Sequence, residues 1–323
     1  MSKQADTSRF SIDVRGPFSL EAARELQCGF LRGSRTCAAG GDSVRMAFPR
    51  DGSFDVVGTE LAHRGERVEG AVVGARDGER IGRQLGRVLA LDHDGAAFAR
   101  VLDADPALRA LLAARPGFRP VVAYSPYVMA GWAVLSQRLR MEQAAAIQVR
   151  IARAVGDTIE IGGESLAAFP RPQSLLALDG FPGVAEEKWT RLRVIARAAL
   201  DGELEAATLC ARPYAESRAR LLQLRGVGPW TADAILIRGC GLTDELPLSE
   251  PMLHEGVAHA YGLARVPSDD AVVAIAERWR PFRTWVSVLV VSSYYRLRPR
   301  SSTTAALRAS ARLSAGRSPR RAA

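Results

Sequence analysis

The side chains best suited to chemistry lie between residues 224 and 259. Leu224-Arg225-Gly226-Val227-Gly228-Pro229-Trp230-Thr231-Ala232 sets two glycines one residue apart, directly ahead of a proline. Glycine lets the backbone turn sharply and leaves N–H groups uncovered, and proline opening a helix aims that helix's positive end at the same spot. Such a turn can take a phosphate, although an ordinary tight turn between helices has the same residues. Further along stands Glu250, immediately before Pro251. A carboxylate at a helix N-terminus is expected to be held ionised, fit to stabilise a developing positive charge or to activate water. A simple helix-start acid would read the same way. Asp244, Glu245 and Glu255 read as solvated or capping, and His254 and His259 as structural or surface residues, because no partnered acid or serine motif accompanies them. Of the 44 basic residues only Lys3 and Lys188 are lysines, which leaves little for a mechanism that needs an amine nucleophile.

These residues need elements to hold them. Ser125-Pro126 predicts a helix start, and the apolar run through Trp132 and Leu135 continues it to about Val155. Shorter helices are expected at about 173–178, 184–200, 204–209, 214–222, 229–239, 251–261, 269–278 and 281–295. Ahead of residue 115 the pattern differs. Phe10, Ile12 and Val14 alternate with polar residues, as do Val44, Met46 and Phe48, and Gly/Asp punctuation separates the runs. Helical spacing appears there at 20–31 and 79–90. The fold class expected is α+β: a small N-terminal antiparallel-sheet domain over 8–118, an all-α domain over 119–298, and a basic, disordered tail over 299–323.

Several separated stretches share one resemblance. LRGVGPWTA resembles the helix-hairpin-helix of the base-excision DNA glycosylase superfamily, and GCGLTDELPLSEPMLHEGVAHAYG resembles the segment in which a Pro-containing loop delivers that family's catalytic carboxylate. Glu277-Arg278-Trp279-Arg280-Pro281-Phe282-Arg283-Thr284-Trp285 is similar to the closing helix of the 3-methyladenine DNA glycosylase II branch. SPYVMAGWAVLSQRLRMEQAA is similar to that branch's helix leading to the DNA wedge. The resemblance covers most of residues 8–295, since that branch also opens with a small antiparallel α+β domain.

The resemblance implies a catalytic role for Glu250, standing where the family usually has Asp. It implies DNA contact by Leu224, Gly226, Val227, Gly228 and Thr231 in the hairpin, and by Gln137 and Arg138 in the wedge region. Trp230, Trp132 and Tyr124 are the expected base-pocket residues, with core packing as the competing reading for both tryptophans. Members that also cut the sugar–phosphate chain use a hairpin lysine at the position of Trp230, so the expectation here is a monofunctional N-glycosylase for alkylated purines, with no lyase activity and an abasic product. Two departures bear on substrate. The indole that the closing helix offers the base in some members corresponds to Val291, and the apolar wedge residue to Arg138. A non-catalytic DNA-binding homologue, or a glycosylase for deaminated or oxidised purines, is the alternative.

Composition bounds the rest. The net charge of +9 is concentrated at the end: eight arginines and no acid lie from 296 onward, leaving about +1 for the preceding 295 residues. A tail of this kind can hold nucleic acid through phosphate contacts or stand solvated. No run of 18 apolar residues occurs, and the start lacks an apolar signal core, so neither membrane spanning nor secretion is expected. Cys28, Cys37, Cys210 and Cys240 show no CxxC spacing, which suits a reducing cytoplasm better than a zinc or iron–sulfur site. The expectations are damaged double-stranded DNA as partner, a monomer, and no metal or other cofactor, a monovalent cation at the hairpin carbonyls being left open by the resemblance.

Overall fold

The computed structural model describes residues 6–30, 37–40 and 43–297; the expected tail at 299–323 lies outside them. Five antiparallel strands form the N-terminal sheet in the order β1-β5-β4-β3-β2: β1 (Thr7–Asp13), β2 (Cys37–Gly40), β3 (Ser43–Pro49), β4 (Val56–Arg64) and β5 (Arg67–Val73). Their period-2 alternation turns Phe10, Val44, Met46, Phe48, Val57, Leu61, Val68 and Val72 into one buried face. Helix α1 (Leu20–Phe30) lies between β1 and β2, and α2 (Gly78–Val88) follows β5. Asp77 starts α2 by accepting the Arg80 N–H.

Next come α3 (Gly95–Asp103) and α4 (Pro106–Ala113), capped by Asp94 and Asp105, then α5 (Pro126–Ser136) and α6 (Met141–Val155). Ser125 Oγ accepts the Val128 N–H at 3.2 Å and Pro126 fills the first helical position, so the predicted start of α5 holds. The predicted run to Val155 does not. Gln137 leaves the helical region and Arg138 takes a left-handed φ of +58°, splitting the stretch into two helices joined by a loop. Arg140 and Gln143 restart the helix as a capping pair, the Gln143 side chain accepting the Arg140 N–H at 3.2 Å.

The second part has one exception to the all-helical reading. Strands β6 (Thr158–Ile161) and β7 (Glu164–Ala167) form a hairpin turned by Gly162-Gly163, both at positive φ as a tight two-residue turn requires. Four-residue strands are too short to announce themselves by alternation. The hairpin packs Ile161 and Leu166 onto Ala47 of the N-terminal sheet. The remaining helices are α7 (Pro172–Leu176), α8 (Glu186–Leu200), α9 (Ala206–Cys210), α10 (Tyr214–Leu221), α11 (Pro229–Ala234) continued by a π turn over Ile235–Gly239, α12 (Leu253–Ala260), α13 (Asp269–Ala276) and α14 (Arg283–Leu297).

Packing crosses the boundary expected near residue 118. The sheet and α2 share a core with α5, α6, α8 and α11, in which Trp132 and Trp189 are buried. Helices α3 and α4 bury Phe98, Leu102 and Leu108 instead against Trp279, Trp285 and Leu289, from α14 and the segment leading into it. Helix α5, with ten of its eleven residues buried, is the central strut. One end of α5 meets the π turn, where Gly239 sits close against Pro126, and the other meets α8.

Candidate active site

Helices α10 and α11 are the two arms of the hairpin, joined by 222–228. Gly226 has φ +93°, and a Cβ there would lie 2.6 Å from Arg191 Cδ, so both conformation and space call for glycine. Gly228 differs: its backbone is extended, and a Cβ would meet nothing within 4 Å. The outer edge of the turn is therefore open where Pro229 begins α11, the arrangement that lets a phosphate approach N–H groups at a helix start.

The carboxylate is built into this hairpin. Trp230, on the first turn of α11, donates its indole Nε1–H to Glu250 Oε2 at 2.9 Å, and Glu250 Oε1 accepts the Met252 N–H at 3.2 Å. Helix α12 starts at Leu253, later than Pro251 would suggest, but the Glu250 side chain still receives an N–H from the turn entering the helix. Burial raises the Glu250 carboxyl above the usual carboxylate range, opposed in decreasing order by the Trp230 indole, the Met252 N–H and the charge of Arg238. Arg238, on the π turn, is itself buried enough to be lowered to about 10.

The loop carrying Glu250 is fastened at both ends. Ser249 donates to Asp233 on α11, and Asp233 also accepts from Tyr214 Oη at 2.7 Å and Arg218 Nε at 2.5 Å, both on α10. One buried carboxylate thus ties both arms of the hairpin to the residue before Glu250. At the other end Asp244 pairs with Arg280 at 2.7 Å and Arg283 at 3.0 Å and caps α14 by accepting the Arg283 N–H, while Glu245 N–H donates to Thr284 Oγ1. Of the two acids read as solvated or capping, Asp244 caps through its side chain, while Glu245 holds the loop through its backbone.

The structure distributes the other expected site residues unevenly. Val227 is 7% exposed and Thr231 3%, so their side chains belong to the core and only their backbone can face a ligand; Leu224 is half-buried against the same core. Trp132 and Tyr124, expected at a base pocket, are each 1% exposed, Tyr124 lying flat on Phe48 with ring centroids 4.7 Å apart. Trp132 lies on the inner face of α5, packed in the core, as the competing core reading of that tryptophan has it. Gln137 does not project freely either: its Nε2 donates to Gly226 O at 2.9 Å and its Oε1 accepts from Arg191 Nη1 at 2.6 Å. Arg138 is exposed at the loop tip. His254, read as lacking an acidic partner, meets Asp269 at 2.9 Å, and Tyr294 donates to Glu255 at 3.0 Å.

Asp233, Ser249, Arg238 and Arg191 escape sequence reasoning. Asp233 leaves one signal, an acid one turn past Trp230 among otherwise apolar residues. Among the described residues no three His, Cys, Asp or Glu side chains converge as a metal site would require, and no helix is long and apolar enough to cross a membrane.

No protein-family model matches the chain. It is 26% identical over 202 residues to the DNA-3-methyladenine glycosylase of Bacillus subtilis, covering 61% of this chain and 66% of that protein. Over 204 residues it is 30% identical to a probable bifunctional transcriptional activator/DNA repair enzyme AlkA of Mycobacterium tuberculosis, covering 62% of this chain and 40% of that one. The chain thus spans less than two thirds of the length of these two relatives. In structure it matches the 3-methyladenine DNA glycosylase of Archaeoglobus fulgidus with a TM-score of 0.74 at 21% identity, covering 89% of this chain and 98% of the other. The fold is thus that of the Archaeoglobus fulgidus enzyme, and in sequence the chain is similar to proteins named as DNA-3-methyladenine glycosylase and as DNA repair enzyme AlkA.

Proposed function

We propose that the protein is a monofunctional DNA N-glycosylase that removes alkylated purines from duplex DNA and leaves an abasic site. The observation that carries this reading is the Glu250 carboxylate, locked beside the open hairpin by the indole of Trp230. Departure of a purine leaves positive character on the sugar, and a carboxylate held in a poorly solvated site stabilises that charge strongly. An alkylated purine is already cationic and leaves as a neutral base, so it needs no proton from the protein. Water then adds to the sugar carbon and Glu250 takes up its proton. Arg238 helps keep the carboxylate ionised against its burial. Trp230 fills the place where strand-cutting relatives carry a nucleophilic lysine, and an indole cannot form a Schiff base.

The hairpin would take the phosphate through its backbone, with Gly228 as the point of nearest approach. Gln137 and Arg138 would sit at the wedge, where the flipped base leaves a gap whose opening costs a few kcal/mol. The experiment is chromatographic detection of free bases released from methylated duplex DNA by the wild type and by Glu250→Gln, with a strand-nicking control. Release by the wild type alone, without nicking, is expected, with a loss of about 10²-fold or more in the variant. Tight DNA binding without release of any methylated, deaminated or oxidised base would replace the enzyme by a non-catalytic DNA-binding homologue. Nicking in step with release would overturn the monofunctional assignment.

A further inference from the structure

We infer that Lys188 and Arg191 of α8 are positioning residues that clamp the loop after α5 onto the hairpin, fixing Arg138 at a set distance from the phosphate-facing turn; this rests on the proposed glycosylase reading. Two contacts hold the loop. Lys188 Nζ donates to Leu135 O at 2.7 Å and to Gln137 O at 2.9 Å, closing the carbonyl end of α5 with a cation. Arg191 Nη1 donates to Gln137 Oε1 at 2.6 Å, and Gln137 Nε2 in turn donates to Gly226 O at 2.9 Å. The missing side chain of Gly226 is what lets the Arg191 stem lie against the turn.

The result is one connected unit of α8, the α5–α6 loop and the hairpin. At its outer tip Arg138 holds a left-handed φ of +58°, a conformation that costs a non-glycine residue about 1 kcal/mol or more and persists only where neighbours fix it. Lys188 and Gln137 supply that fixing one residue away. Only one other lysine occurs in the chain, against 42 arginines. A compact ammonium can donate to two carbonyls at a helix end from one atom, a geometry that a planar guanidinium reproduces poorly. Burial and the neighbouring Arg191 lower the Lys188 ammonium from its ordinary value, consistent with an ion seated between groups rather than solvated.

A clamp of this kind matters only when the loop must push a base out of a paired duplex. The variants are Lys188→Met and Gln137→Ala, each checked for folding by circular dichroism, with Lys188→Arg as the conservative control. Two readouts are used. The first is the single-turnover release of 7-methylguanine from a paired duplex and from a single strand. The second is the fluorescence rise of 2-aminopurine placed beside an uncleavable abasic analogue, which reports unstacking without chemistry. Lys188→Met should slow release from the duplex roughly tenfold or more and release from the single strand less than about twofold, since only the paired base has to be extruded. The fluorescence rise should fall in both variants and return in part with Lys188→Arg. Combining Lys188→Met with Arg138→Ala should cost no more than the worse single change, because both remove the same device.

Equal losses on duplex and single strand, or additive losses in the double variant, would overturn the clamp. If Lys188→Met does not fold, Gln137→Ala decides by the same pattern. If the wild type releases no base yet unstacks the reporter and the variants do not, the clamp stands and the glycosylase reading falls. A wild type that never unstacks the reporter would sink both.

Discussion

At the scale of single residues, the proposed chemistry would turn on the protonation of the hydrogen-bonded pair Trp230–Glu250. Burial raises the Glu250 carboxyl, and the indole hydrogen bond is the largest influence opposing it. Trp230→Phe removes that donor while keeping an aromatic body, so the carboxyl should rise further. Because the ionised form is the active one in this reading, the acidic limb of the pH–rate profile should move to higher pH; an unmoved limb would mean that the indole does not govern the carboxylate. The same shift has a consequence for stability. A carboxyl raised in the folded state binds its proton more tightly there than in the unfolded chain, so stability falls as pH climbs from the unfolded value, about 4.3, through the folded one, and stays lower above it. Glu250→Gln escapes that penalty. Its melting temperature at pH 7 should equal or exceed the wild type's, the difference closing toward pH 4, while base release is lost. Activity held at a cost in stability is what a functional carboxylate in such a site implies, and a Glu250→Gln protein that melts well below wild type at pH 7 would count against it.

At the scale of elements, the hairpin and the carboxylate loop behave as one fastened unit, and its two glycines separate structure from binding. Gly226→Ala meets a left-handed backbone and the Arg191 stem, so it should destabilise the fold by about 1–2 kcal/mol. Gly228→Val meets extended backbone and open space; its melting temperature should stay near wild type while affinity for duplex DNA, read by fluorescence anisotropy, weakens. Normal DNA binding by Gly228→Val would show that the turn's open edge is not the phosphate site. Asp233→Asn loosens the ties to Tyr214, Arg218 and Ser249, and a fall in kcat with little change in KM would mark it as holding Glu250 rather than substrate. Helix starts were legible in the sequence because capping chemistry is local: Ser125-Pro126 and Gly228-Pro229 each declare themselves within a few residues. The split between α5 and α6 was not legible: the Lys188 side chain that meets the carbonyls at the end of α5 comes from some fifty residues away. The pocket reading of Trp132 and Tyr124 came from resemblance alone; apolar spacing says that a face is covered, and only the tertiary packing says by what.

At the scale of the whole molecule, charge is divided unequally along the chain. The first 295 residues are close to neutral in balance, and many arginines among them are committed to partners, as Arg87 is to Asp51, Arg171 to Asp157 and Arg283 to Asp244. A near-neutral body attracts a polyanion weakly at long range, so the hairpin and its neighbours would supply register on DNA more than raw affinity. Residues 299–323 carry six further arginines, at 300, 308, 312, 317, 320 and 321, with no acid among them. Each arginine that neutralises a phosphate releases counterions and steepens the dependence of binding on salt by about 0.9 in log–log slope. Deleting 299–323 should therefore flatten that slope by up to about 5 when duplex affinity is titrated against sodium chloride. The rate of base release at saturating enzyme should not change, because the proposed chemistry rests on Glu250, which lies outside the tail. A slope unchanged by the deletion would mean that these arginines do not reach the DNA. A slower chemical step would place part of the tail at the active site itself.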